Sequence, residues 1–435
     1  MKRVAALVVA LAFVVTACSG ATQQPPNQGT QAPQDNPSQQ TGEPVTLTFW
    51  HYFTDRAPLM EQLAAAYEAE TGVKVKMELL QTDVLAQKFQ ASIQSGTAPD
   101  LVAAWAGIGD KTADYAKEGY IMNLQSYMDA GWGDRFEPAF LEAVSFKPDN
   151  KWGVEPGVYM VALDSNNMQI LYNTEAYAKA GLQPPKTFEE WLGQSAALRE
   201  AGYAPFAAGF VSWALPSFAS LYIWNVVGPE NMEKTYNGEM PYTAEPWVRF
   251  LNLFVKMREA NMLADGAITF DVPASESLFV NHQAAALYDG SWAIGVFNSM
   301  NPDFESYDVF MPPPSVDGQY PVKIPGGVGA LLFVNGKSAH KEEAVKFLQW
   351  LTDVEAQATY ATSSFNLPAI KGVADPEQLS PVLANFAAHM GDIAPTLSAT
   401  MEPQVETAMT KGIQEILLGS KTPEQVAQEM EAARP

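Results

Sequence analysis

The sequence predicts an α/β protein of two lobes, each an open, mostly parallel sheet flanked by helices. Three observations lead there. Residues 45–105 alternate strand and helix patterns in the order β-α-β-α-β, an order that places parallel strands in one sheet with right-handed crossovers. The stretch from residue 45 to the end is longer than the roughly 250–300 residues that one hydrophobic core organises. The only cysteine is Cys18, so no disulfide supports this stretch and burial must.

Each element of the first run can be read directly. Val45, Leu47 and Phe49 alternate with Thr46 and Thr48 as a strand; Pro58, Leu59, Leu63 and Tyr67 then share one helix face up to Gly72. Val73, Val75, Met77 and Leu79 alternate with Lys74, Lys76 and Glu78 as a second strand. A helix through Leu85, Phe89 and Ile93 closes at Ser95-Gly96, and Leu101 to Trp105 is a continuous apolar run of the kind that lies buried on both faces in a parallel sheet. Ligands bind beyond the carboxyl ends of such strands. Those ends carry Trp50, His51, Tyr52, Phe53 and Trp105. Later, Thr187 with Glu190 and Thr422 with Gln425 have capping-box spacing. Ala344, Phe347, Leu348 and Leu351 define one face of a helix after His340.

The ends speak of export. Met1-Lys2-Arg3 precedes an apolar run from Val4 to Val15 and the small residues Thr16 and Ala17, the pattern of a secretory signal peptide over residues 1–17. The run is short of the roughly 20 residues that cross a bilayer. Val15-Thr16-Ala17-Cys18 resembles the lipobox of bacterial lipoproteins, which implies acylation of Cys18. Residues 18–44 are then a lipidated cysteine followed by a Gln-, Pro-, Gly- and Ser-rich flexible tether. A formal charge of −23 argues against nucleic acid as a partner and leaves the lipid anchor as the only membrane attachment.

Between residue 45 and the end the chain resembles the extracellular solute-binding proteins of carbohydrate importers of the ATP-binding-cassette type, the group that includes maltose-binding protein. The resemblance rests on Ser95 to Val102 (SGTAPDLV), Tyr115 to Leu124, Ile170 to Asn173 (ILYN) with Ala180-Gly181-Leu182, Pro184 to Thr187 and Trp191, then Ala284 to Leu287 with Gly290 and Trp292, Gly326 to Asn335, and Asn366 to Ala369. Each motif alone is common; their order and spacing carry the likeness. Two positions depart from it: the proline usual before the ILYN strand is replaced around Ala162, and the glycine usual before the Ala284 motif corresponds to His282.

The resemblance implies a periplasmic-binding-protein fold with a three-crossing hinge near Leu163, Leu332 and Gly372. One lobe is then 45–163 with 333–372 and the other 164–332 with 373–435. It further implies a monomeric capture protein that delivers a neutral sugar or oligosaccharide to membrane permease subunits, on the outer face of the cytoplasmic membrane, without cofactor or catalysis.

A sugar site combines aromatic rings for the C–H face with carboxylates and amides for the hydroxyls. By the resemblance, Trp292 is the leading candidate, with a core tryptophan at the sheet edge as the alternative. Asp289, before Gly290, is either a ligand contact or turn chemistry. Tyr52, His51 and Asp55 follow the first strand; Asp55 has helix capping as its alternative. Trp105 ends the third strand, Trp213 lies in a segment that supplies cleft aromatics in relatives, Asn166 offers an amide, and Gly327 permits close backbone approach. The four histidines are scattered without metal-ligand spacing, so no metal is expected. Gly107 to Thr112 lacks the spacing of a phosphate loop. The alternatives from other classes are an extracellular glycoside hydrolase, which needs two carboxylates across a scissile bond, and a surface lipoprotein that binds a macromolecule.

Overall fold

The structure is a computed structural model that describes residues 45–104, 106–373, 379–394 and 401–435. The signal peptide, Cys18, the tether and Trp105 lie outside the described residues. Thirteen short strands occur among the described residues: β1 (Thr46–His51), β2 (Lys74–Leu79), β3 (Leu101–Ala104), β4 (Ser145–Phe146), β5 (Gly157–Val158), β6 (Val161–Ala162), β7 (Asp164–Asn173), β8 (Ala286–Gly290), β9 (Tyr307–Phe310), β10 (Ile324–Val328), β11 (Leu331–Val334), β12 (Leu367–Pro368) and β13 (Ile393–Ala394).

The first sheet has the order β2-β1-β3-β11-β6. β1 runs parallel to β2, from Thr46 opposite Lys74 to His51 opposite Leu79, and parallel to β3. Only β11 is reversed, lying antiparallel to both β3 and β6. In the second sheet β7 is the reversed strand: its first half pairs with β12 and β10, its second half with β8 and β9, all antiparallel, while β10 and β13 are parallel. The reversed strand of each sheet directly follows a strand of the other. β6 passes through Leu163 into β7, and β10 passes through Gly329 and Ala330 into β11. Leu367 and Pro368 touch the second sheet before Ala369 and Ile370 return to the core of the first.

Local sequence explains the helices. Ala57–Thr71 and Thr82–Ser95 both end at a glycine in the left-handed region, Gly72 at φ 74° and Gly96 at φ 70°, each donating its amide back to the last turn. A side chain there would be strained, which makes glycine the natural stop. Pro423–Ala432 starts with a complete capping box between Thr422 and Gln425. Phe188–Glu200 has only half of one: Thr187 caps the Glu190 amide, but Glu190 accepts from the Lys186 amide instead of the Thr187 amide.

One core surrounds the first sheet, with Leu47, Phe49, Leu101, Val102 and Phe333 from the strands and Phe347 and Leu348 from the helix Lys341–Leu351. The second sheet is covered on both faces, as the period-2 alternation of side chains requires. Ile170 and Tyr288 face one core while their neighbours Leu171 and Leu287 face another. Among the described residues no helix is long and apolar enough to cross a membrane.

Candidate functional site

A cavity of about 680 Å³ opens between the two sheets. The segment Tyr52–Arg56, at the carboxyl end of β1, forms one wall, and the crossing strands supply Asp164, Asn166, Gly329 and Ala330. Trp213, Trp292 and Glu276 close the other side. This is where an open α/β sheet presents ligand groups.

Trp292 stands at the start of the helix Ala293–Met300, immediately after β8, and is half-buried. Its ring meets that of Trp213 edge to face, with centroids 5.5 Å apart and planes at 64°. Trp213 is 40% exposed, an unusual state for so large an apolar surface unless something covers it. The indoles thus form an aromatic corner open to the cavity.

A buried charge network faces that corner. The Arg56 guanidinium is 2.9 Å from Asp55 and 3.1 Å from Asp164, and lies over the rings of Phe53 and Tyr360. Asp164 also accepts from the Tyr360 hydroxyl at 2.6 Å and from the Ala330 amide at 2.7 Å. Burial alone would lower the Arg56 pKa, but the surrounding Tyr360, Asp164 and Asp55 more than reverse this and hold it above its ordinary value. Asp55 therefore pairs with Arg56, and it does not cap the following helix, whose first turn has no side-chain cap. Tyr52 lines the cavity with its hydroxyl donating to the Ala104 carbonyl at 3.3 Å; burial and the nearby Asp164 push its phenol up to about 12.

Five residues singled out from the sequence thus line one cavity: Tyr52, Asp55, Asn166, Trp213 and Trp292. Three others do not. His51 is 2% exposed between the rings of Phe49 and Phe53, its Nδ1 accepting from the Phe53 amide, and burial with the Arg56 charge lowers its pKa to about 4. Asp289 is fully buried in β8, because pairing with Gln169 of β7 fixes it inside the sheet. Its Oδ1 accepts from the Gly290 amide, and burial, then the neighbouring Glu276, push its carboxyl well above the usual range against the pull of Gly290 and Trp292. Gly327 pairs with Asn166 across the sheet, outside the cavity wall. Close approach belongs to its neighbours: a Cβ on Gly326 would meet the Asn166 and Asn167 backbone, and one on Gly329 the Asp164 carboxylate.

The residues not anticipated are Arg56, Asp164, Glu276 and Tyr360. Glu276, on the helix Val272–Val280, reaches the cavity while 5% exposed, and burial raises its pKa. Among the described residues no group of three or more His, Cys, Asp or Glu side chains is placed to hold a metal. Arg56 is the one cation among the described lining residues, and both of its terminal nitrogens are engaged by carboxylates.

Comparison with known proteins agrees with this architecture. The chain is 24% identical over 349 residues to the multiple sugar-binding protein of Streptococcus mutans, covering 77% of this chain and 78% of that one. It is 24% identical over 351 residues to the maltotriose-binding protein of Pyrococcus abyssi, covering 78% and 70% respectively. The structure of maltose-bound T. maritima MalE3 superposes with a TM-score of 0.74 at 17% identity, over 89% of this chain and 98% of that one, a likeness of fold. Residues 51–358 match the family of bacterial extracellular solute-binding proteins, and the chain belongs to that family.

Proposed function

We propose that this protein captures a neutral sugar or oligosaccharide in the cavity between its sheets and delivers it to the permease of an ATP-binding-cassette importer, without catalysis. The observation that carries the reading is the Trp213–Trp292 corner facing Asp55, Asn166, Asp164 and Glu276. Aromatic rings take the C–H face of a pyranose, and carboxylates and amides take its hydroxyls. The relatives named for multiple sugars and maltotriose support the same class. Neutrality follows from Arg56: its charge is already matched by Asp55 and Asp164, so an anionic ligand would enter a cavity whose other ionisable lining groups among the described residues are the Glu276 carboxyl and the Tyr52 phenol, neither of them a cation.

In this reading residues 45–163 with 333–372 form one lobe and residues 164–332 with 373–435 the other. The crossings near Leu163, Leu332 and Gly372 act as hinge, and ligand favours the closed state by its differential affinity. Residues 1–17 are the signal peptide, Cys18 is lipidated, and residues 19–44 tether a monomer to the outer face of the cytoplasmic membrane. Trp292, Trp213, Tyr52, Asp55 and Asn166 are the ligand contacts, joined by Glu276.

A thermal-shift screen of residues 45–435 against sugars, polyols, amino acids and sugar phosphates tests this. A neutral sugar at a hundred times its Kd adds about 2.7 kcal/mol, and Trp292→Ala removes that shift. A response confined to amino acids or phosphorylated compounds would reject the neutral-carbohydrate assignment. Recovery of the bound sugar in cleaved form would reject the non-catalytic one.

A further inference from the structure

Two carboxyl groups meet beside Trp292. Glu276, on the helix Val272–Val280, lines the interlobe cavity, and Asp289 of β8 is fully buried next to it, the two side chains hydrogen-bonded to each other. Such a bond needs a proton, because an ionised carboxylate can only accept. The neighbours do not replace it. Asp289 accepts from the Gly290 amide through Oδ1 at 2.7 Å, while its Oδ2 has no other donor among the described residues. Gln169, opposite on β7, gives its amide to the Asn167 side chain at 2.9 Å. The charged groups that bear on Glu276 are themselves acids: Asp271 caps its own helix through the Ala274 amide, and Asp55 is paired with Arg56.

The proton belongs to Asp289. Asp289 is 0% exposed against 5% for Glu276, and charge costs less where a side chain reaches the cavity. Burial, then the Glu276 charge, hold the Asp289 carboxyl well above its ordinary range. Burial also raises Glu276, but the hydrogen bond from Asp289 pulls it back towards the ionised form. A carboxylic acid kept neutral in an apolar site is a hydrogen-bond donor.

We propose that Asp289 is a positioning residue: as a buried neutral acid it donates to Glu276 and holds that side chain, ionised, with its remaining lone pairs turned to the hydroxyls of the ligand beside Trp292. This rests on the capture reading above. An ionised acceptor makes hydrogen bonds roughly twice as strong as a neutral one, so the ligand favours the Glu276 carboxylate. Affinity accordingly falls as pH drops through the raised value of Glu276.

The test is calorimetric titration of the full-length chain between pH 4.5 and 8, with the compound that gives the largest thermal shift in the screen. Wild-type affinity falls at least about fivefold over the acid half of that range. Glu276→Gln binds weakly at every pH and shows no such fall. Asp289→Asn, whose amide takes the place of the proton donor, keeps affinity within a few-fold throughout. Asp289→Leu, of similar shape but without a donor, loses at least about tenfold at pH 7 and moves the acid fall to higher pH, a displacement that loosened packing alone would not produce. Infrared spectra of the unliganded wild type at pH 7 show the C=O stretch of a protonated carboxyl that Asp289→Asn lacks, which decides the matter where the leucine variant melts early. Absence of that band, equal weakening in the asparagine and leucine variants, or a leucine variant with wild-type affinity and pH profile overturns the positioning role while sparing the capture reading. No binding by any compound overturns both.

Discussion

The six-membered ring of the Trp292 indole occupies the volume where a Cβ on Gly290 would stand. The side chain folds back over the end of β8, and it can do so only because the residue two positions earlier has no side chain. The Gly-x-Trp spacing is thus a geometric device that aims an indole into the cavity.

Gly290→Ala should therefore displace the ring without unfolding the lobe, since Trp292 is half-buried and lines the cavity. Ligand affinity should fall by at least about tenfold, or about 1.4 kcal/mol, while the midpoint of thermal unfolding moves by a few degrees at most. Titration with the best sugar from the screen measures the first effect and calorimetry the second. Unchanged affinity would mean that the indole is not a ligand platform.

The sequence made the strands and helices of residues 45–104 legible because each is written in local periodicity and closed by a glycine, Gly72 or Gly96. Tyr52 and Asp55 drew notice because they follow the first strand, where an open α/β sheet presents its ligand groups, whereas Trp292, Trp213 and Asn166 were marked by the resemblance to solute-binding proteins. Arg56, Asp164 and Tyr360 were invisible for the opposite reason. Their network joins positions separated by 108 and 196 residues through ionic and hydroxyl contacts that leave no periodic trace. His51 and Asp289 misled because burial is a tertiary fact: one was marked by its place at a strand end and the other by the resemblance, but His51 packs between Phe49 and Phe53 and Asp289 is fully buried in β8 opposite Gln169. His282 shows tertiary structure overriding a backbone preference. It sits at φ 56°, in the left-handed region that glycine enters at no steric cost.

The Arg56 network should behave as one cooperative unit. Arg56→Ala leaves the buried Asp164 carboxylate without its cation and should cost about 3–5 kcal/mol. Tyr360→Phe removes one donor to the same carboxylate and should cost about 1–3 kcal/mol. Urea unfolding of the single and double variants checks this. The double variant should lose less than the sum, because both substitutions act on Asp164; simple additivity would show that the contacts are independent.

His51 should make the protein sensitive to mild acid. The unfolded imidazole binds a proton below about 6.5, whereas the folded one, held down by burial and by Arg56, does so only near 4. Between these values the unfolded chain takes up a proton that the folded chain refuses. The contribution is thus complete above pH 6.5 and lost as pH falls towards 4, by at most about 3.5 kcal/mol at 1.4 kcal/mol per unit. His51→Gln keeps an acceptor for the Phe53 amide but cannot titrate. Its unfolding free energy should drop less than that of the wild type between pH 7.5 and 4.5, by about 2 kcal/mol, and equal drops would mean that His51 charges within the fold.

Asp289 should act with the opposite sign. Its carboxyl is raised well above the ordinary 3.8 by burial and by Glu276, so the folded state keeps a proton that the unfolded state has already released. Stability then falls as pH rises from about 4 towards the folded pKa, a penalty that the wild type carries at neutral pH. Asp289→Asn holds the same shape, retains an oxygen for the Gly290 amide and has no proton to lose. At pH 8 it should be more stable than the wild type, with the advantage shrinking on acidification to pH 4. Because Asp289 lies beneath Trp292 and beside Glu276, the same variant should leave sugar affinity within a few-fold at pH 4, where the raised carboxyl of the wild type is also protonated. A variant less stable at pH 8 would show that the charged carboxylate is the form the fold requires.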